Sequence, residues 1–442
     1  METALVLSLY VAGILVWSYK KENLPIYCIY LTTFGLLAME IVSPTYLMED
    51  FYKSQQKITN VSYHLFLLCT FLNLLASKGN AIAKIRKTYK YWVCIFVAGI
   101  YFLFWQNVHG LEQGGGFTFL LLLVSITAIY YSTIPNKLDL SKYRIHFIII
   151  CIVELLFIVF NLLFGPIYVP QRIDVINGNP FLIAGSFYRY NTLASFLAMV
   201  GVIISCSYFN GKMNIKLYLP IIAIVCLFVL ATGARMQLVW MTVVIVLMTF
   251  SHFKKHRILS VMILTGGLIF YVALKTIDLR GFTTMDAQSG FERQLYGIMN
   301  AFNNNSTEKG NQTQDISLYI LENYFHHSPL IGNGLGYREY SYHHYIPTKV
   351  MIADAAIAYI LVEYGVLGFV FTLLIIVTAF LIMRKGMLPN DAKNMNILFF
   401  SLFFLTITEA GIFDFVLMLY VWTYMAWVKY SVNNITIKKN QI

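Results

Sequence analysis

The residues best suited to chemistry are arginines, histidines and carboxylates set in or beside long apolar stretches. Arg189 lies in FYRYNTLA (187–194), just before Asn191, and Arg235 follows the tight Thr232-Gly233-Ala234 turn. The planar guanidinium fork makes paired, charge-assisted bonds and keeps its charge at any physiological pH, which suits phosphate. A membrane-edge arginine can equally snorkel, or pair with Glu154, Glu409 or Asp414. Arg293 in GFERQLY (290–296), Arg338 in GYREY (336–340) and Arg172, near Asp174, Asn177 and Asn179, lie in polar segments, where arginines are ordinarily just solvated.

His343 and His344 close a run in which Tyr337, Tyr340, Tyr342 and Tyr345 alternate with polar groups. An imidazole can take a proton from a sugar hydroxyl near neutral pH. The tyrosine faces could pack on sugar C–H faces, or form an interfacial belt at lipid headgroups. Asp354 and Glu363 are separated only by apolar residues and open a long apolar run. A carboxylate there could act as an acceptor base or pair with an arginine. Gly332, Gly334 and Gly336 form GxGxG, but no strand precedes them and the third glycine is misplaced for a dinucleotide fingerprint. They suit a tight turn or a close backbone approach to a ligand. The six cysteines form no CxxC and the nine histidines no HExxH, so neither a metal nor a cofactor is expected.

The elements that must position these groups follow from composition. The 442 residues are 58% hydrophobic and 12% charged, against about 45–50% and about 25% in soluble domains. That excludes a soluble enzyme, a secreted disulfide scaffold and a disordered chain. Thirteen apolar stretches approach the roughly 20 residues of a spanning helix: 3–19, 24–43, 60–77, 90–108, 116–134, 145–165, 185–209, 216–232, 235–252, 258–276, 351–383, 395–410 and 412–430. The eleventh is long enough for a re-entrant piece followed by a span. The expected fold is an all-α polytopic bundle of about 12–14 helices, with residues 1–442 forming a single integral membrane domain.

The net charge is +11, and its placement speaks to topology. Alternate loops collect Lys20, Lys21; Lys78, Lys84, Arg86, Lys87, Lys90; Lys137, Lys142, Arg144; Lys212, Lys216; Lys254, Lys255, Arg257; Arg384, Lys385, Lys393; and Lys429, Lys438, Lys439. The same loops hold only Glu22, Asp139 and Asp391 among the acids. By the positive-inside rule these loops are cytoplasmic, so the N-terminus is expected outside and the C-terminus inside. Topology thus accounts for the basic charge, and no nucleic-acid partner is expected. Two outer loops are long: 165–184, and 277–350, a length that in a tight membrane protein points to function.

Four segments together resemble the O-antigen polymerase and O-antigen ligase superfamily of bacterial surface-polysaccharide enzymes. They are RYNTLASFLAM (189–199), LATGARMQLVWM (230–241), GFERQLY (290–296), and SPLIGNGLGY (328–337) followed by DAAIAYILVEYGVLGF (354–369). The likeness covers roughly residues 180–370. It departs where the family carries a His-Asn pair, eleven residues before Gly365; here Asp354 and Ala355 stand there. The acceptor base is thus left open between Asp354, His343 and His344. A polar insertion after Asn300 also separates the third and fourth segments.

The resemblance implies a metal-independent, GT-C-like glycosyltransferase of the bacterial plasma membrane with one large extracytoplasmic loop. Its implied donor is a glycan on undecaprenyl pyrophosphate, its setting membrane lipid, and a chain-length regulator protein a candidate partner. Arg235 and Arg293, with His343, His344 or Asp354, would be catalytic. Arg189, Arg172, Asn191, Arg338, Tyr337, Gly334 and Glu363 would bind substrate. A repeat-unit polymerase making O-antigen or capsular polysaccharide is the leading expectation. The rivals are a ligase that transfers polymer to lipid A–core, and a lipid-linked oligosaccharide transporter. A transporter would more typically show inverted repeats around a midplane site, and the sequence shows none.

Overall fold

A computed structural model of the chain describes residues 2–42, 51–77, 125–134, 141–164, 183, 185–187, 190–253, 325–333, 356–406 and 415–439. It also describes single or paired positions between 82 and 101, and 257, 261, 265 and 322. Eleven α-helices and no strand occur among the described residues. They are α1 Glu2–Tyr19, α2 Asn23–Val42, α3 Phe51–Leu75, α4 Ile126–Thr133, α5 Ser141–Phe164, α6 Tyr190–Phe209, α7 Ile215–Ala231, α8 Arg235–Ser251, α9 Ala356–Arg384, α10 Pro389–Thr406 and α11 Phe415–Lys439. Ten of the thirteen apolar stretches coincide with these helices. Of 116–134 the described part is α4, and 90–108 and 258–276 lie largely outside the described residues.

Among the described residues four helices are long and apolar enough to cross a membrane by length and composition. These are Lys57–Leu75, Tyr143–Phe164, Tyr190–Phe209 and Ile360–Arg384. Shorter apolar helices cover Thr3–Tyr19, Asn23–Ala38, Ile215–Ala231 and Met236–Ser251. This is compatible with a membrane chain. The α5 surface suits that setting, since Ile145, Ile152, Leu156 and Leu163 are exposed on a helix with few polar groups.

Local chemistry sets several helix ends. Asn214 begins α7 by accepting from Lys216 N at 3.2 Å, the usual work of an N-cap asparagine. Pro389 occupies the first position of α10, where its missing N–H leaves no bond unmade.

The helices form two groups. One is α1, α2, α3 and α4; the other is α6, α7, α8 and α10. Two helices link them: α11 packs on α2, α4, α6 and α9, and α9 packs on α4 and α10. The α11 residues Val416–Ala426 are buried on every face, as expected of a helix that is apolar all round.

Contacts fix the direction of the helices. Gly201 of α6 faces Met241 of α8, and farther along Cys206 Sγ approaches Met248 Sδ at 3.8 Å. So α6 and α8 run in the same direction. The Trp240 indole of α8 donates to Ser401 Oγ of α10 at 2.9 Å, and His252, just past α8, bonds Asn394 Oδ1 at 2.9 Å. So α10 runs the opposite way, and α9, which folds back onto α10 through a short turn, runs with α8. The pairs Phe196–Tyr420 and Cys206–Tyr424 align α11 with α6.

One end of the bundle is therefore defined by the termini of α6, α8, α9 and α11 and by the start of α10. It carries Lys212, Arg384, Lys385 and Lys393. Here Asn210 Nδ2 donates to the Asp391 carboxylate. Asn394 Nδ2 donates to Asn210 Oδ1 at 2.8 Å, and Lys393 Nζ to the Ser251 carbonyl at 2.6 Å. Burial raises the Asp391 carboxyl above the usual aspartate range, against the lowering effects of the Lys212 charge and the Asn210 amide. On the α1–α2 turn Lys20 pairs with Glu22 at 3.0 Å. Tyr130 and Tyr143 donate to the carbonyls of Lys21 and Glu22. The N-termini of α6, α8, α9 and α11 all point to the end away from the α10 start.

Candidate functional site

The end marked by those N-termini holds the described parts of the quoted motifs. Its central feature is a break in α9. Gly365 has φ 65° and ψ −174°, a conformation that is essentially glycine-only. Interrupting a helix strands backbone groups, and in an apolar setting each must find a partner. The segment 329–333 supplies them. Val366 N donates to the Pro329 carbonyl at 2.9 Å and Leu367 N to the Leu330 carbonyl at 3.0 Å. The Val362 carbonyl accepts from Asn333 N at 2.8 Å and from Asn333 Nδ2 at 3.1 Å. The Tyr101 hydroxyl lies 2.7 Å from the Ile331 carbonyl and 2.6 Å from the Tyr364 carbonyl.

The fit is close enough to require two glycines. A Cβ on Gly332 would fall against the Glu363 carbonyl, and one on Gly365 against the Leu330 carbonyl and Gly332 N. The glycine segment and the α9 segment are thus one structural unit. Glu363 sits at the break, with 4% of its surface exposed. From Val366 to Arg384 the helix runs roughly 28 Å at 1.5 Å per residue, close to the about 30 Å of a bilayer's hydrocarbon core. The break therefore divides α9 into a short piece before Gly365 and a longer apolar helix after it.

The α8 start is a second feature. Thr232 Oγ1 donates to the Val229 carbonyl at 2.7 Å and accepts from Ala234 N at 3.3 Å. Gly233, at φ 76°, turns the chain, and Ala234 precedes the helix without offering a side-chain cap. Arg235 is the first helical residue; its backbone is described and its side chain is not. Gln237, two residues on, is buried.

A third feature precedes α6. The turn 185–187 is held by Glu154 of α5, which is fully buried. One carboxyl oxygen accepts from Ser186 N at 3.2 Å and the other bonds Ser186 Oγ. Ser186 Oγ also reaches the Thr33 carbonyl at 2.8 Å, and Thr33 Oγ1 bonds the Tyr420 hydroxyl at 2.7 Å. α2, α5, the turn and α11 are joined by this chain. Glu154 was weighed in the sequence as a partner for arginine; among the described residues its hydrogen-bond partner is Ser186. Asn191, at the start of α6, is half-buried.

Of the candidate site residues, Arg235, Asn191 and Glu363 are thus placed at this end. Arg172, Arg189, Arg293, Gly334, Tyr337, Arg338, His343, His344 and Asp354 lie outside the described residues, as do most of 165–184 and 277–350. Among the described residues no group of three His, Cys, Asp or Glu side chains converges as a metal site would need, and the described cysteines form no disulfide. Asn333, Gln237, Ser186 and Tyr101 were not singled out as site residues. Gln237 and Asn333 stand inside quoted motifs, so their type and place were readable.

No protein-family model, curated protein or solved structure matches the chain.

Proposed function

We propose that the chain is a membrane glycosyltransferase that polymerises undecaprenyl-pyrophosphate-linked oligosaccharide repeat units into O-antigen or capsular polysaccharide. In this reading the lysine-rich end is cytoplasmic and the motif-bearing end faces outward from the bacterial plasma membrane, with a GT-C-like arrangement and a large outer loop over the site. The observation that carries it is the seating of 329–333 on the break at Gly365. The two parts of the fourth quoted segment, 328–337 and 354–369, meet there as one unit.

The electrostatics support the same reading. Four helix N-termini share this end, and each carries a partial positive charge and unsatisfied N–H groups. Such an end favours an anionic lipid pyrophosphate. In the reaction an acceptor hydroxyl oxygen bonds to the anomeric carbon of the donor glycan. The bond from that carbon to the pyrophosphate oxygen breaks, and undecaprenyl pyrophosphate leaves with the electron pair. The hydroxyl proton passes to a base among Asp354, His343 and His344. Arg235 and Arg293 stabilise the charge that grows on the leaving group, with Arg189, Arg172, Asn191, Arg338, Tyr337, Gly334 and Glu363 holding the substrates. A chain-length regulator protein would bind the same assembly.

Arg235→Ala and Arg293→Ala test the assignment in cells. Removing one such contact raises the barrier by about 2.7–4 kcal/mol, a rate loss of about 100- to 1,000-fold. Membrane levels of both variants are expected to match wild type, while surface chains shrink to single repeat units on gels. Normal chain-length ladders in both variants would overturn their role.

A further inference from the structure

The first turn of α8 contains a buried acceptor with nothing to accept from among the described residues. Gln237 is the third residue of the helix and is 1% exposed, and its Oε1 has no partner among the described residues. At a helix start, a glutamine in this position ordinarily reaches back to the N–H of the residue before the helix. Thr232 has taken that role, because its Oγ1 accepts from Ala234 N. The Gln237 oxygen is excluded from the cap it would otherwise complete.

Its direction follows from helix geometry. Side chains lean toward the N-terminus of their helix, so Gln237 leans toward the end where α6, α8, α9 and α11 begin. It shares a helix face with Trp240, Met241, Val244 and Met248, all fully buried. That face turns inward, toward α6 and α10. Buried amide oxygens are nearly always bonded, so this oxygen marks a place for a donor that the described residues do not supply.

We propose that Gln237 Oε1 accepts a hydrogen bond from a hydroxyl of the sugar joined directly to the donor pyrophosphate. The inference rests on the reading of the chain as a lipid-pyrophosphate glycosyltransferase. Ionised pyrophosphate presents acceptor oxygens, so an orphaned acceptor does not serve it. The neighbouring sugar carries the donors. The α8 N-terminus and Arg235 then hold the pyrophosphate, while Gln237 reads the first sugar.

Binding to purified full-length protein in nanodiscs tests this. The probes are undecaprenyl pyrophosphate alone and the same lipid carrying glucose or N-acetylglucosamine, whichever binds more tightly. Wild type is expected to prefer the sugar-bearing lipid about tenfold. Gln237→Met removes the acceptor at similar volume. It should keep the affinity for the bare lipid, lose the tenfold preference, and melt close to wild type, since the oxygen it removes makes no hydrogen bond among the described residues. Gln237→Leu serves the same purpose should the Met variant not fold. A preference that survives in the variant overturns the inference. So does a variant that melts lower and loses both affinities together, which marks a structural residue. Wild type that binds both lipids equally overturns the role of Gln237 alone. Wild type that binds neither overturns the underlying reading.

Discussion

A carboxyl group in the middle of an apolar helix is stable only with its hydrogen bonds made. Glu154 makes its bonds to Ser186 N and Ser186 Oγ, and so fixes the turn from which α6 departs. Gln at this position keeps the pattern. Its oxygen accepts from Ser186 N–H, and its amide donates to Ser186 Oγ, whose own proton then goes to the Thr33 carbonyl. Glu154→Gln is therefore expected to retain folding and activity. Glu154→Ala leaves the buried Ser186 N–H without its acceptor, at a cost of about 1–3 kcal/mol, read as a lower melting temperature in detergent. If Gln were as damaging as Ala, Glu154 would act through its charge or proton rather than through these bonds. The sequence made Glu154 conspicuous, as an acid within CIVELLF. It did not reveal Ser186, because a pair far apart in the chain leaves no local pattern. Gln237 shows the same limit: its place after a Thr-Gly turn was plain, but that Thr232 had displaced it from the cap was not.

At the scale of elements, the central device is the broken α9. A break in an apolar helix is tolerated only where other backbone or side chains restore the lost bonds, and 329–333 with Tyr101 do so. Gly365→Ala would add a Cβ against the Leu330 carbonyl and impose a glycine-only conformation on alanine. The conformation alone costs about 1–3 kcal/mol, and the clash would push 329–333 off the helix. Activity is expected to vanish and stability to fall. Gly386→Ala is the control. That residue also has positive φ, 86°, but its Cβ would meet nothing within 4 Å. It should cost only the conformational strain, about 1–2 kcal/mol, and leave activity intact. Equal loss of activity in both variants, measured by chain elongation, would mean that the docking is incidental. The apolar length of 351–383 pointed to a piece and a span. The seat for the glycine run was not legible, since backbone pairing between distant segments carries almost no residue-type signal.

For the whole molecule, composition and the spacing of apolar stretches gave the all-helical class and most of the helix positions. Their arrangement came only with tertiary contacts. The burial of α11 on all faces is written in its all-round apolarity, but its place between two helix groups is not. The alternating lysines and arginines predicted that helix ends would sort into a basic end and an opposite one. Among the described helices, the N-termini of α6, α8, α9 and α11 gather at the end opposite Lys212, Arg384, Lys385 and Lys393.

The central claim is that this opposite end joins lipid-linked glycans to one another. It is tested most directly by reconstituting the purified full-length protein in proteoliposomes with an undecaprenyl-pyrophosphate-linked repeat unit, then sizing the products. The account predicts a ladder of glycans lengthened by whole repeat units, with one undecaprenyl pyrophosphate released per linkage. Translocation of the intact lipid without any lengthening, or transfer only to added lipid A–core, would contradict it.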